Sequence, residues 1–479
     1  MSVSTTFNLN LPEFLIAEVF DGIARLDCYL DEVELTVHPR SGIPLRLFRD
    51  TLHSVLYQSL EEPLRLTRQS TLKKAPLNPS EFQAVVNQLG STFIGISGVH
   101  RFLKYLRVPE PPHEIFTLLK EIQRAFPEDG ISANETDVLL SETLNYGEID
   151  LHSAIESQLQ QAKILTPVPG RETIVIILPY AQVNNPLMWT IIAHEVGHFV
   201  EKFHSLGKKI LAKVLACPID QVPEGTELDW IEELISDAVG LRLLGPAYLY
   251  SFVSITILQS ALGKSSVTHP SDLLRVRMAS SELKSTCLTG APTSTSLTKV
   301  ILDLFEQKFS FNEKYLGDKL FGGSTIHSHP IESVVELITQ ELDDLKIGKL
   351  SSESLAKAET LALALAKGQP VSALRQERKD LQSKAEAIQT SLATSAPIDD
   401  IRKDFFEIRD CMVEKPSTCA EIINAGYIHR YQNVLPQILD GLAAPTIADY
   451  VGEHKKTINQ VDRLLKVSMQ VTEIHKLFL

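Results

Sequence analysis

Residues 184–203 read NNPLMWTIIAHEVGHFVEKF. Two asparagines followed by a proline make a helix start: a good N-cap, then a residue whose fixed φ suits the first turn. Apolar residues then recur at helical spacing, which predicts a helix running through the whole segment. Inside it, His194, Glu195 and His198 spell HEVGH. Residues at i and i+4 project from one helix face one turn apart, so both imidazoles can reach a single ion. Glu195 sits beside them, where it can take a proton from water held by that ion. With 14 histidines in 479 residues, chance produces an HExxH in only about three such chains per hundred. The residue types and spacing therefore point to a zinc site with hydrolytic chemistry.

Two histidines are only half of a zinc shell. Downstream, Thr226 and Asp229 form a capping-box-like start to a helix through WIEELISDAVGLRLLG. Within that helix Glu233 and Asp237 stand at i and i+4 and share one face. On these residues the sequence resembles the gluzincin metallopeptidases, the thermolysin-like group with HExxH followed on a later helix by ExxxD. The resemblance implies that Glu233 is the third metal ligand and that Asp237 accepts a hydrogen bond from His194, fixing its tautomer and raising its basicity. Glu232 competes for the ligand role, but one turn on it has Ser236 and no carboxylate. His204, ten residues after His194, holds the place of the third metzincin histidine. Glu201 stands where that motif needs glycine, and it carries the helix onward instead of turning it.

The segment THPSDLLRVRM brings Thr268, His269, Pro270 and Arg275 together, and it is similar to the THPP…R stretch of the CAAX-prenyl-protease and heat-shock-protease branch of the gluzincins. Through that similarity His269 becomes a candidate catalytic donor to the oxyanion of a tetrahedral intermediate, while Arg275 is expected to pair with a carboxylate. Tyr248 and Tyr250 are further donor candidates on an apolar helix. A second His-Pro, in IHSHPIE at His327 to Glu332, lacks an arginine at the matching distance. The resemblance covers about Thr173 to Arg277, and 35 positions separate His198 from Glu233, a longer link than the compact thermolysin arrangement.

Outward from this centre, TIVIILPY (Thr173 to Tyr180) is a β-branched run bounded by Gly170 and Pro179 and reads as the clearest strand in the chain. Gluzincins keep a substrate-binding edge strand at this place, so a peptide could pair with it by β-addition. EVELTVHPRSGIPL, from Glu32 to Leu45, alternates briefly and is a second strand candidate. Residues from Leu11 to about Ala162 and from Leu297 onward carry helical periodicity, and the Ser- and Thr-rich stretch from Ser280 to Ser296 reads as a surface connection. The expected fold is mainly α (α+β): a zincin-like catalytic core with a small β-sheet over residues 166–290, flanked by helical regions at 1–165 and 291–479.

The composition narrows the function classes. With 46 basic and 60 acidic residues and a formal charge of −14, the chain lacks the basic surface of a nucleic-acid binder. A hydrophobic content of 44% and a mean hydropathy of +0.01 suit large buried cores. The most apolar window, Leu243 to Leu262, is interrupted by Gly245 and Pro246 and is expected to be a buried helix instead of a membrane span. Five cysteines at wide spacings without a CxxC pair, and an N-terminus without secretory features, lead to the expectation of a soluble cytoplasmic protein. The functional expectation is a zinc metallopeptidase acting on peptide or protein substrates, with Glu195 as general base. The alternatives are a zinc-binding regulator or sensor with an occluded core, and an α-helical interaction scaffold.

Overall fold

In the computed structural model, residues 10–36, 42–73, 76–103, 111–126, 135–141, 147–150, 173–179, 182–258, 268–286, 288, 290–316, 331–369, 390, 417–436 and 447–477 are described. Helix α1 (Leu11–Thr36) opens the chain and is buried nearly all round: Phe14, Leu15, Ile16, Val19, Phe20, Ile23, Leu26 and Leu30 are covered, and its largely buried charges are paired, Asp21 with Arg430 and Arg25 with Asp462. A helix of that kind belongs in the middle of a core. Around it pack α2 (Gly42–Lys73), α3 (Pro79–Leu103) and the long C-terminal helix α14 (Ile447–Leu477). Helix α4 (His113–Arg124) buries Ile115, Leu118, Leu119 and Ile122, the i, i+3, i+4, i+7 stripe of an amphipathic helix, and lays it against α14.

Three short strands follow: β1 (Glu135–Ser141), β2 (Gly147–Asp150) and β3 (Thr173–Pro179), in the order β1-β3-β2. β1 runs parallel and β2 antiparallel to β3. A six-residue 3-10 helix, Pro186–Ile191, then leads into α5 (Ile192–His204), the HEVGH helix. Helix α6 (Leu206–Leu215) doubles back from it, and α7 (Thr226–Leu244) carries Glu233 and Asp237. The chain continues through α8 (Pro246–Leu258), α9 (Asp272–Thr286), α10 (Pro292–Leu316), α11 (Ile331–Asp344), α12 (Ser352–Leu365) and α13 (Cys419–His429). Helix α13 starts with a full capping box between Thr418 and Glu421 and passes into a π turn at Arg430–Val434.

The expected fold class needs correcting. The chain is a helical assembly, 85% helical where it is described, and not a zincin-like core organised by a small sheet between helical flanks. Helix α5 finds its main partner in α7, not in the strands. The physical reason is that long apolar stripes on either side of the motif supply far more burial than three strands of at most seven residues. One hydrophobic cluster runs from Leu11 through Ile192, Ile231, Leu304 and Ile423 to Met469, so all three expected regions contribute to it. β3 is also paired on both sides, so it is an interior strand and offers no free edge to a peptide.

Smaller expectations change too. Glu32 to Thr36 continues helix α1 instead of forming a strand, and residues 37–41 lie outside the described set. Ser280 to Thr286 is the last half of α9, whose Glu282 and Leu283 are buried. Small polar residues at a helix surface imitate a linker in composition. Among the described residues no helix is long and apolar enough to cross a membrane, and the Leu243–Leu262 window holds the end of α7 and all of α8. His327 to Pro330, in the second His-Pro segment, are outside the described residues.

Candidate metal centre

The approach to the HEVGH helix begins at Pro186, where the sequence places it, but its first six residues are 3-10 and the α-helix starts only at Ile192. Asn185 and Pro186 open a 3-10 turn, and Asn185 spends its side chain on Gln182 instead of capping the helix. Trp189, fully buried, pins this turn by donating its indole N–H to the carbonyls of Gln182 and Val183, 3.2 Å away in each case. Helix α5 then carries His194, Glu195 and His198. Helix α7 starts after Gly225 with no side-chain cap, so the anticipated capping box of Thr226 and Asp229 does not form.

Gly197, between the two histidines, decides how closely α5 and α7 meet. A Cβ placed there would stand 2.6 Å from Ser236 Cα and 3.0 Å from Ser236 O, well inside contact distance with backbone that cannot yield. Only glycine permits this crossing, and the crossing delivers Glu233 to the imidazoles.

His194 Nε2 and His198 Nε2 are 3.2 Å apart. Glu233 Oε2 lies 3.5 Å from the first and Glu233 Oε1 3.5 Å from the second. The three side chains form the one group among the described residues whose donor atoms converge tightly enough to hold a metal ion. Two ligands of a tetrahedral ion with bonds of about 2.0–2.1 Å stand about 3.3–3.4 Å apart, which is the scale of this triangle. Glu233 Oε2 is buried and makes no hydrogen bond of normal geometry, with His194 Nε2 and Arg275 Nη2 each standing 3.5 Å away. A carboxylate oxygen so weakly satisfied is expensive to bury, and an ion between the three residues would satisfy it.

The electrostatics fit the same picture. Burial works against a charge on His194, yet the adjacent Asp237 and Glu233 carboxylates overcome it and push the imidazole up to about 10. Burial, together with the adjacent His194 charge, drives His198 down to about 3. Glu233 is held at about 2 against its burial by His194, Arg275 and His198. A proton on His194 thus lies where positive charge is wanted, and an ion that replaces it releases it.

Behind this triangle, Asp237 orients His194. Its Oδ1 is 2.9 Å from His194 Nδ1, and Arg275 grips both carboxylate oxygens, Nε to Oδ2 and Nη2 to Oδ1, each at 2.7 Å. Arg275 lies over the Phe252 ring at 4.4 Å and holds Asp237 well below the usual carboxylate range despite complete burial. The carboxylate expected for Arg275 is therefore Asp237. His269 reaches the site from the other side: its Nε2 is 3.4 Å from Glu233 Oε1, its Nδ1 2.7 Å from Thr268 Oγ1, and it is 54% exposed. Glu195 is buried beside His194 in the helix.

The competing candidates point elsewhere. Glu232 faces α6, where a Cβ on Gly207 would meet its Cγ, and burial together with Glu201 and Asp229 raises its carboxyl to about 7. Glu201 continues the helix, and its Oε1 accepts the Gly207 N–H at 3.1 Å. His204 closes α5 against the Phe203 ring and is not in the converging group. Tyr250 bonds to Ser294 and Thr298, away from the site. Tyr248, a donor candidate on a helix whose aromatic residues are more often core, is buried behind Asp237, where its hydroxyl donates to Oδ1. Sequence reasoning missed that role, and the signal was present in the short turn LLGPAY, which folds α8 back over α7. No family model, no curated protein and no solved structure matches this chain.

Proposed function

We propose that this protein is a zinc-dependent hydrolase of peptide bonds, with His194, His198 and Glu233 as metal ligands and Glu195 as general base. The observation that carries the reading is the convergence of HExxH with a carboxylate from a second helix, backed by Asp237 on His194 Nδ1. Two imidazoles, one carboxylate and a remaining open position are the donor set of catalytic zinc sites. The likeness to gluzincins is one of ligand chemistry, carried on a helical body.

Zinc, when bound, supplies a Lewis acid that lowers the pKa of a water and polarises a carbonyl. The chain's own residues do the rest. Glu195, next to His194 on the helix, accepts a proton and delivers it to the departing nitrogen. Asp237 and Arg275 keep His194 in the Nδ1–H tautomer, which leaves Nε2 as the ligand atom. His269, the most exposed member of the cluster, donates toward developing negative charge on the substrate oxygen.

A second reading, a zinc-holding regulator without turnover, draws support from burial: His194, Glu195 and Glu233 are 5–7% exposed. One experiment separates the two. Zinc-loaded protein is screened against a peptide library, and Glu195→Gln is measured on any peptide cleaved. The hydrolase reading expects a loss of about a hundredfold to ten-thousandfold with zinc retained. Zinc-loaded protein that cleaves nothing, or a variant that cleaves at the wild-type rate, contradicts it.

A further inference from the structure

Tyr248 is 1% exposed, and the architecture around it is built to hold it in place. Helix α7 ends at Gly245, whose φ of 59° and N–H bond to Leu241 O at 2.7 Å close the helix sharply. Pro246 starts α8 at once, so the next turn folds back over α7. Tyr248 then lands on Gly240: a Cβ at that position would stand 2.8 Å from Tyr248 Cδ2 and Cε2. The ring is near-parallel to both His194 and Phe252, at 6.3 Å and 11° in each case. Two glycines and a proline thus bring one phenol to one spot.

At that spot the hydroxyl donates to Asp237 Oδ1 at 2.5 Å, while its oxygen is 3.2 Å from His194 Nδ1. Its single proton is committed to Asp237, so the oxygen can only accept from His194. Nδ1 consequently faces two acceptors, Asp237 Oδ1 and Tyr248 Oη, and must carry hydrogen. The nitrogen that gives up its proton to an ion is then Nε2, which points to His198 and Glu233. Arg275 fixes the plane of Asp237 through two bonds, and Tyr248 supplies the remaining donor to Oδ1.

We infer that Tyr248 is a positioning residue for the metal site: with Asp237 it locks the tautomer and ring orientation of His194, so that Nε2 is presented to the ion. This rests on the metal-binding reading above. Tyr248 touches neither substrate nor ion and acts through His194 and Asp237.

Tyr250 provides an internal control. It lies two residues along the same helix, is equally buried, and spends its hydroxyl on Ser294 O and Thr298 Oγ1. Its loss removes a comparable buried hydroxyl with no connection to His194. Apoprotein of the wild type, Tyr248→Phe and Tyr250→Phe is titrated with Zn²⁺ against a chelating dye, and the visible spectrum of each Co²⁺ form is recorded. Tyr248→Phe is expected to stay folded, to bind Zn²⁺ on the order of tenfold more weakly, and to shift the Co²⁺ bands. Tyr250→Phe is expected to match the wild type in both.

Wild-type affinity and spectrum in Tyr248→Phe overturn the inference, as does equal weakening in Tyr250→Phe. A wild-type protein that takes up neither metal overturns the metal reading itself, a separable result. If Tyr248→Phe does not fold, Gly240→Ala keeps the hydroxyl but displaces the ring, and the same weakening is expected. Unchanged affinity in that variant counts against the inference.

Discussion

Gly197→Ala tests whether the α5–α7 crossing sets the metal site. The new methyl would stand 2.6 Å from Ser236 Cα, and ordinary contact begins near 3.4 Å. Because the obstacle is backbone, the helices must separate locally by about 0.8 Å, the difference of those two distances. Alanine gains up to about 1 kcal/mol of helix propensity, while overpacking costs about 1–3 kcal/mol, so the net destabilisation expected is about 0–2 kcal/mol. The site is far less tolerant, since metal–ligand distances hold within about 0.2 Å. Moving Glu233 away from the imidazoles by several times that margin should weaken zinc binding more than tenfold in a chelator-competition titration. Gly95→Ala, on α3 with nothing within 4 Å of the new methyl, is the control and should leave metal binding unchanged. A Gly197→Ala protein that is folded and binds zinc within twofold of wild type would refute this reasoning.

Three further outcomes are expected. Asp237→Ala should reduce zinc affinity by about ten- to a hundredfold, the usual loss of an outer-shell carboxylate, and the same titration reads it. Asp21 is buried between Arg430 and His454, and despite its burial these partners and Arg25 hold its carboxyl well below 3.8. A depressed folded-state pKa stabilises above the unfolded value and is lost as pH falls below it. Asp21→Asn should therefore cost about 3–5 kcal/mol at pH 7, with the gap to wild type closing below about pH 3.8 in urea unfolding. Lys308 is buried, and desolvation lowers its ammonium to about 8 from 10.5. The unfolded chain binds the proton more tightly in that window, so Lys308→Met should stabilise by up to about 3 kcal/mol at pH 7. Denaturation curves should show the advantage shrinking between pH 8 and 10.5.

The metal centre was legible because its chemistry is local: HEVGH places two imidazoles by helix geometry alone, and Glu233 and Asp237 share a face for the same reason. Their meeting across 35 residues is not a local property, and there the ExxxD resemblance supplied what periodicity could not. Gly197 stands in the motif itself, yet its necessity emerges only when Ser236 is found opposite. Tyr248 and Tyr250 were equal donor candidates in the sequence because an apolar helix does not announce which way it folds back. The turn at Gly245 and Pro246 decides that. The fold class failed on a different point. TIVIILP does pair as a strand, but a short β-branched run says nothing about whether a sheet or the surrounding helices bury the active helix. The serine-rich end of α9 shows the converse: composition suggested a linker, while Leu283 and Glu282 bind the segment into the helical body.

The central claim is that Glu233, brought by α7, completes a zinc site begun by His194 and His198. The most direct test is the metal-to-protein ratio, by plasma mass spectrometry, of the wild type, Glu233→Gln and Glu232→Gln purified without chelators. About one zinc per chain is expected in the wild type and in Glu232→Gln, and a small fraction of that in Glu233→Gln. A wild-type protein without metal, or a Glu233→Gln variant that retains a full equivalent, would contradict the account.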